Sequence, residues 1–406
     1  MSNCEELIPS MVKYIDPAKL LDLLLSEAIK DRTSDAYFER FCNGEAKIRC
    51  RTDETLYEMM PIPGCLYEPL VEKIKLMFGL PEGPRSIWQK LRITRPKRFS
   101  PGDVTSKSVR IGRLHNPINM NLTFIISEGD EQYRIELLYP GQVTGLSVFD
   151  SDIFDSDIEE VERMLERPGI VLLSSPAGQG KTTSAFNILK EFNRPDNQTV
   201  VLSRKLGYPI SGIHQVITDP SEHKPYSRTL RAVRGFRPNF LFFDDVDNGL
   251  TAKEVMHYAS NGAKVLVAVN AIDAYASVEY LCGLGIDGRQ LARYLNGIIS
   301  QRLVRQIHDE CRAEYTPQPE KQEILGKGCT AYYGVGCSGC ENRGYYRRKP
   351  VFQIVGHGYD SMEYVRKSLQ DGKPLDSSGA LSFRVLATYM ARGGITTIEE
   401  VEKITP

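Results

Sequence analysis

The chain has 406 residues, 41% hydrophobic and 25% charged, an ordinary globular balance with enough apolar residues for two or three cored domains. Lys and Arg number 51 against 52 Asp and Glu, for a net charge of −1, which excludes an overall basic field of the kind that collects nucleic acid. No apolar run approaches the roughly 18 residues needed to cross a bilayer, and Met1-Ser-Asn-Cys-Glu-Glu has neither the basic nor the apolar part of a signal peptide.

Asp16-Pro17 predicts a helix start, with an acid as N-cap and Pro at the first helical position. Leu20, Leu21, Leu24, Leu25, Ala28 and Ile29 give that helix a wide apolar face. A β-meander follows: Asp35–Glu39, the turn Asn43-Gly44, Ala46–Arg51, the turn Asp53-Glu54, and Leu56–Met60. A helix is expected over Leu66–Phe78, stopped at Gly79. Two further strands, Thr123–Ser127 and Tyr133–Leu138, flank Glu128-Gly129-Asp130. These elements make one small α+β domain over residues 1–140. The turn-rich stretch 141–150 reads as a linker.

The second domain, 151–406, opens with a helix over Ile158–Leu165 that stops before Pro168-Gly169. The apolar run Ile170–Leu173 then reads as a buried strand. It is followed by Ser175-Pro176-Ala177-Gly178-Gln179-Gly180-Lys181-Thr182-Thr183, and then by Ala185, Ile188, Leu189 and Phe192 at helical spacing. Strand, glycine loop and helix in that order are the setting of a P-loop. Gly178 and Gly180 let backbone N–H groups close around a phosphate, and the new helix adds its own unpaired N–H groups and positive dipole end. Lys181 then reaches the β- and γ-phosphates of ATP, and Thr182 holds Mg²⁺ through its hydroxyl. The usual pattern begins with Gly where Ser175 stands, so a slightly altered loop is expected. Thr199–Leu202, Phe240–Phe243 and Lys264–Val269 are further buried strands separated by helices, predicting an α/β fold with a mainly parallel sheet.

Phe240-Leu-Phe-Phe243 ends in Asp244-Asp245. An acid at the end of a buried strand beside a P-loop orders Mg²⁺ and the attacking water. Farther on, His308-Asp-Glu-Cys311 and Cys337-Ser-Gly-Cys340 form two ligand pairs that suit a closed, structural Zn²⁺ site of three thiolates and one imidazole. Cys329 is the spare ligand. The remaining cysteines, Cys4, Cys42, Cys50, Cys65 and Cys282, are scattered, which points to a reducing, cytoplasmic setting rather than a disulfide framework.

The ordered set of these pieces resembles the bacterial type II secretion and type IV pilus assembly ATPases, the hexameric secretion-motor superfamily, from about Pro17 to the end. Ser34-Asp35-Ala-Tyr-Phe-Glu39 is similar to that family's opening Ser-Asp-x-His-x-Glu strand, and Arg49-Cys-Arg51-Thr-Asp53 to its Arg-x-Arg-x-Asp-Gly hairpin. Ile74-Lys75-Leu-Met77, Gln89-x-x-Arg92-Ile93, Leu230-Arg231-Ala232, Arg237-Pro238, Gln301-Arg302-Leu303-Val304-Arg305 and Gly393-Gly394-Ile395-Thr396-Thr397 match further stretches. The resemblance implies a PAS-like N-terminal domain joined to a RecA-type ATPase domain, with a zinc-binding subdomain at about 305–350 and a C-terminal helical segment over 355–406. It implies ATP at the subunit interfaces of a homo-hexamer, and platform proteins of the inner membrane as partners. Arg49, Arg51 or Arg92 would reach the nucleotide from the first domain; surface strand arginines are the alternative for all three.

Departures from that pattern bear on activity. The family's acidic box, whose Glu activates water, is Ser203-Arg204-Lys205 here. Its Gly-Glu pair at the end of the buried strand is Asp244-Asp245, and Asn270 stands where His is expected, although Asp273-Ala274 remains. The leading expectation is an ATP-driven motor of a secretion or pilus machine, with Lys181, Asp244 and Asp245 as catalytic residues and slow hydrolysis through Asp245. The alternatives are a ring subunit that binds ATP without hydrolysing it, and a DNA-transfer motor for conjugation or competence, which the charge balance does not favour.

Overall fold

The computed structural model describes residues 16–41, 44–53, 55–80, 104–109, 118–127, 130–138, 143–149, 157–218, 223–326, 328–356, 360–375 and 382–404. Arg92 with its motif, the turn residues Asn43, Glu54, Glu128 and Gly129, the stretch 139–142, Cys4 and Cys42 lie outside them. The chain divides into two units, Met1–Gln142 with Lys205–Pro209, and Val143–Arg204 with Ile210–Pro406.

Among the described residues, the first unit is a six-stranded antiparallel sheet with two helices. Helix α1 (Pro17–Lys30) is capped by Asp16, whose carboxylate accepts from Ala18 N at 3.0 Å, and buries Leu21, Leu24, Leu25 and Ala28. Helix α2 (Gly64–Met77) buries Leu66, Leu70, Val71 and Ile74. The strands β1 (Asp35–Arg40), β2 (Ala46–Thr52), β3 (Thr55–Ile62), β4 (Val104–Val109), β5 (Ile118–Ser127) and β6 (Asp130–Leu138) lie in the order β3-β2-β1-β6-β5-β4. Along β2 the alternation is strict: Ala46, Ile48 and Cys50 enter the core with Phe38 and Ile135, while Lys47, Arg49 and Arg51 face the other way. Buried Asn119 and Asn121 of β5 are satisfied by the segment 205–209, donating to Gly207 O at 2.6 Å and Leu206 O at 3.0 Å.

The second unit is a seven-stranded sheet between helices. Its strands are β7 (Gly169–Ser174), β8 (Thr199–Ser203), β9 (Ile213–Ile217), β10 (Phe240–Phe243), β11 (Lys264–Val269), β12 (Leu295–Ile307) and β15 (Tyr345–Val355), in the order β15-β12-β7-β11-β10-β8-β9. Every pair is parallel except β12 with β15. The central strands are buried on both faces, hence their unbroken apolar runs. Helices α3 (Asp157–Glu166), α4 (Lys181–Glu191), α5 (His223–Gly235), α6 (Gly249–Ser260), α7 (Ala274–Gly283), α8 (Gly288–Tyr294) and, after β15, α10 (Asp360–Asp371) accompany this sheet. Residues 143–149, part of the stretch read as a linker, pack into this unit. The Thr144 and Gly145 N–H groups donate to Asn187 Oδ1 at 2.6 and 2.8 Å, and Phe149 stacks on Phe352.

Beyond the sheet, β12 and β15 carry a smaller lobe with the hairpin β13 (Arg312–Tyr315) and β14 (Ala331–Gly334), and helices α9 (Pro319–Leu325), α11 (Phe383–Arg392) and α12 (Ile398–Ile404). The lobe has its own core, which gathers Val304, Leu325, Val351, Phe383, Leu386, Met390 and Val401. Among the described residues no helix is long and apolar enough to cross a membrane.

Candidate functional site

Parallel order puts the C-terminal ends of β7, β11, β10 and β8 along one edge, where a doubly wound sheet binds its ligands. β7 ends there in the glycine loop. Gly178 and Gly180 adopt φ of +78° and +83°, the left-handed conformation that glycine supplies without strain. A Cβ on Gly178 would meet nothing within 4 Å, whereas one on Gly180 would lie 2.7 Å from Gln301 Nε2. That amide, fully buried on β12, donates to Gln179 O at 2.6 Å and accepts from Ser184 Oγ of α4 at 2.6 Å. Gln179 Oε1 in turn accepts from Leu303 N at 2.8 Å. The loop is therefore braced from β12, and the space beside Gly178 is open.

Lys181 opens α4 and folds back over the loop, donating to Ser175 O at 2.8 Å and Asn270 Oδ1 at 2.7 Å. Thr182 follows on the first turn. Ser175 is fully buried and shows no left-handed φ, and its hydroxyl donates to Pro176 O at 2.9 Å. The first loop position here thus uses ordinary backbone that Ser tolerates.

β10 delivers Asp244 and Asp245 next to this loop, and Asp245 sits at φ +65°. Asp245 Oδ1 accepts from Asn270 Nδ2 at 2.6 Å, and Oδ2 lies 3.9 Å from Arg204 Nη1. Arg204 pairs more closely with Asp247, at 2.7 Å. Lys181 and Asp245 are thus brought together through one amide.

His308, Cys311, Cys337 and Cys340 also converge. Their ligand atoms all lie within 4.8 Å of one another. The Sγ atoms of Cys311 and Cys340, and of Cys337 and Cys340, are 3.8 Å apart, and His308 Nδ1 lies 3.3 Å from Cys337 Sγ. Four tetrahedral bonds of about 2.3 Å would set sulfurs about 3.8 Å apart, so the group fits Zn²⁺. Burial pushes the Cys340 thiol up, but N–H groups donated by Cys337 and Gly344, with the neighbouring thiols, outweigh it and bring the thiol to about 7. Cys329 is outside the group and packs against the lobe core.

Arg49 and Arg51 lie on β2 of the first unit and have partners there. Arg49 makes a two-pronged pair with Glu39, which raises its pKa further, and Arg51 donates to Tyr37 OH at 3.2 Å.

A family profile described as "Type II/IV secretion system protein" matches residues 16–403. The chain belongs to this family. The type IV pilus assembly ATPase PilB of Thermus thermophilus is 25% identical over 98% of this chain and 44% of its own length. The type II secretion system protein E of Dickeya dadantii is 26% identical over 95% of this chain and 75% of its own. The chain therefore spans less than half of the first relative and three quarters of the second. Among solved structures, the Legionella pneumophila ATPase DotB aligns with a TM-score of 0.62 at 15% identity, covering 96% of both chains. The pilus retraction motor PilT with bound ADP aligns with 0.59 at 15% identity, covering 95% of this chain and 96% of that one. These likenesses establish a shared fold.

For this member of the secretion family, five contacts were not readable in the sequence. Gln301 and Leu303 brace the loop from a strand more than a hundred residues away. Arg348, on β15, directs Nη1 to Gly178 O at 3.4 Å. Asn270 and Arg204 stood out only as departures from a pattern, with nothing to say that both meet Asp245.

Proposed function

We propose that this chain is a motor ATPase subunit that powers a type II secretion or type IV pilus machine by hydrolysing ATP on its glycine loop. The observation that carries the reading is the juxtaposition of Lys181 and Asp245 across Asn270 at the open end of the sheet. The N–H groups of residues Gly178–Thr183 cradle the phosphates, and Lys181 Nζ exchanges its present carbonyl partners for phosphate oxygens while keeping one donor on Asn270 Oδ1. Thr182 would hold Mg²⁺, which supplies charge neutralisation to the phosphates when bound. Asp245 takes the proton of the attacking water, with Asp244 beside it. Ser175, Pro176, Ala177 and Gln179 complete the loop. By the family resemblance, Arg49, Arg51 or Arg92 would reach the nucleotide, since a guanidinium can pair two phosphate oxygens; surface arginines are the alternative for all three.

In this reading His308, Cys311, Cys337 and Cys340 hold a structural Zn²⁺ that ties the outer ends of β12 and β15. The chain works as a homo-hexamer in the cytoplasm, at the inner membrane through platform proteins. PilB and protein E carry the names of such machines, which supports the assignment.

One observation favours a second reading, a subunit that holds ATP without turning it over. Arg204 stands where the family resemblance places an acid, and its guanidinium faces Asp245 and Asp247. Calorimetric titration of purified protein with MgADP, beside phosphate release from MgATP, separates the two, with Lys181→Ala as control. Binding with turnover abolished by Lys181→Ala supports the motor; binding without turnover supports the second reading; no binding overturns both.

A further inference from the structure

Strand order places the end of β11 between β7, which feeds the glycine loop, and β10, which ends at Asp244-Asp245. Asn270 is the first residue past that end. Its Oδ1 accepts from Lys181 Nζ at 2.7 Å while its Nδ2 donates to Asp245 Oδ1 at 2.6 Å. Chemistry fixes which end of the amide faces which partner: an ammonium only donates and a carboxylate only accepts. A carboxylate at position 270 would pair with Lys181 but repel Asp245. A cation would do the reverse, and an apolar side chain would satisfy neither. A carboxamide serves both, and it does not titrate.

Asp245 also needs a hold. Its left-handed φ of +65° is a strained position for a residue with a Cβ. Its second oxygen is only loosely approached, by Arg204 at 3.9 Å, while Arg204 is engaged at 2.7 Å with Asp247. The short bond from Asn270 is therefore the main restraint on where the Asp245 carboxylate points.

We infer that Asn270 is a positioning residue that fixes Asp245 relative to Lys181, so that loop and acid act as one site. The inference rests on the hydrolytic reading given above. It extends that reading by making turnover depend on a neutral side chain that meets no reacting atom. Among the described residues, the Asn270 amide meets the charged groups of Lys181 and Asp245, with Arg204 and Asp247 behind Asp245.

The test uses the full chain and three substitutions at this exposed strand end. Asn270→Leu keeps the number and branching of side-chain heavy atoms and removes both bonds; kcat should fall roughly 10–100-fold, with KM for MgATP within about threefold. Asn270→His restores a donor and an acceptor only when the ring is neutral. Its kcat should approach wild type at pH 8.5 and fall away towards pH 6 more steeply than wild type does. Asn270→Asp sets a carboxylate on Lys181 that competes with phosphate, so the Kd for a fluorescent ADP derivative should rise about tenfold, a readout independent of turnover. Wild-type kcat in Asn270→Leu, or a wild-type pH profile in Asn270→His, overturns the inference while leaving the hydrolytic reading intact. If wild type itself shows no turnover, the hydrolytic reading fails; the ADP measurement then decides the Lys181 contact, and an unchanged Kd overturns it.

Discussion

Gly180 shows how one position can serve two neighbours. Its φ of +83° lets the loop turn, and its missing side chain leaves room for the Gln301 amide that braces the loop. Gly180→Ala should therefore cost about 1–3 kcal/mol of stability, through strain and displacement of a buried amide. Nucleotide affinity should fall with it; a thermal melt and an ADP titration check both, and a wild-type pair of values would mean the loop is not braced as described. The loop was legible in the sequence because its parts are adjacent: a strand, two glycines, Lys181 and the helix follow one another along the chain. Asn270, Arg204 and Arg348 reach the same site from distant strands. Which strands neighbour β7 and β10 is set by packing, so no local pattern could report those contacts. Ser175 was read as a source of distortion, whereas its backbone needs no left-handed φ; the residue type was visible but the dihedral was not.

β12 is the element that joins the two chemistries of the second unit. It braces the glycine loop through Gln301 and Leu303, then runs outward to His308, the first member of the Cys/His group. On the way Arg305 pairs with Glu400 of α12, and Ile307 N donates to Ile395 O at 2.8 Å. The two segments that resembled family motifs, at 301–305 and 393–397, therefore lie against each other. The strand itself was missed because buried Ser300 and Gln301 broke the apolar run that marks a core strand. Burial raises the Glu400 carboxyl, but Arg305 and Lys403 more than reverse this and hold it below the usual carboxylate range. A depressed acid stabilises the fold above its unfolded pKa, and the contribution is lost as pH falls through the folded value. Glu400→Gln should cost about 1–3 kcal/mol at pH 7, a gap that closes below about pH 4, as melts across pH would show. A gap independent of pH would assign the loss to packing. In the Cys/His group that His308 joins beyond this strand, Cys337→Ser should lower bound zinc below about half an equivalent by elemental analysis and lower the melting temperature, because a structural metal would stabilise the fold that holds it. An unchanged melt would contradict a structural metal.

The two units carry different candidate residues. The second holds the glycine loop, the acid at the end of β10 and the Cys/His group, and the first holds Arg49 and Arg51 on β2. If the proposed ring forms, with one of these arginines reaching nucleotide on a neighbouring subunit, multi-angle light scattering with an ATP analogue should find a hexamer. A monomer at every concentration, with and without nucleotide, would contradict this. The α/β class and parallel sheet were readable from the apolar runs at Ile170, Phe240 and Lys264, because strands buried on both faces leave no other pattern. The antiparallel β15 and the separate lobe core were not, since both depend on which faces meet. All of this serves one claim, that ATP is hydrolysed at the loop with Asp245 as base, and phosphate release at saturating MgATP from wild type and Asp245→Asn tests it most directly. Measurable turnover in wild type, lost at least about 10²-fold in Asp245→Asn while ADP affinity stays within a few-fold, is the predicted result. Equal turnover in the two proteins would contradict it.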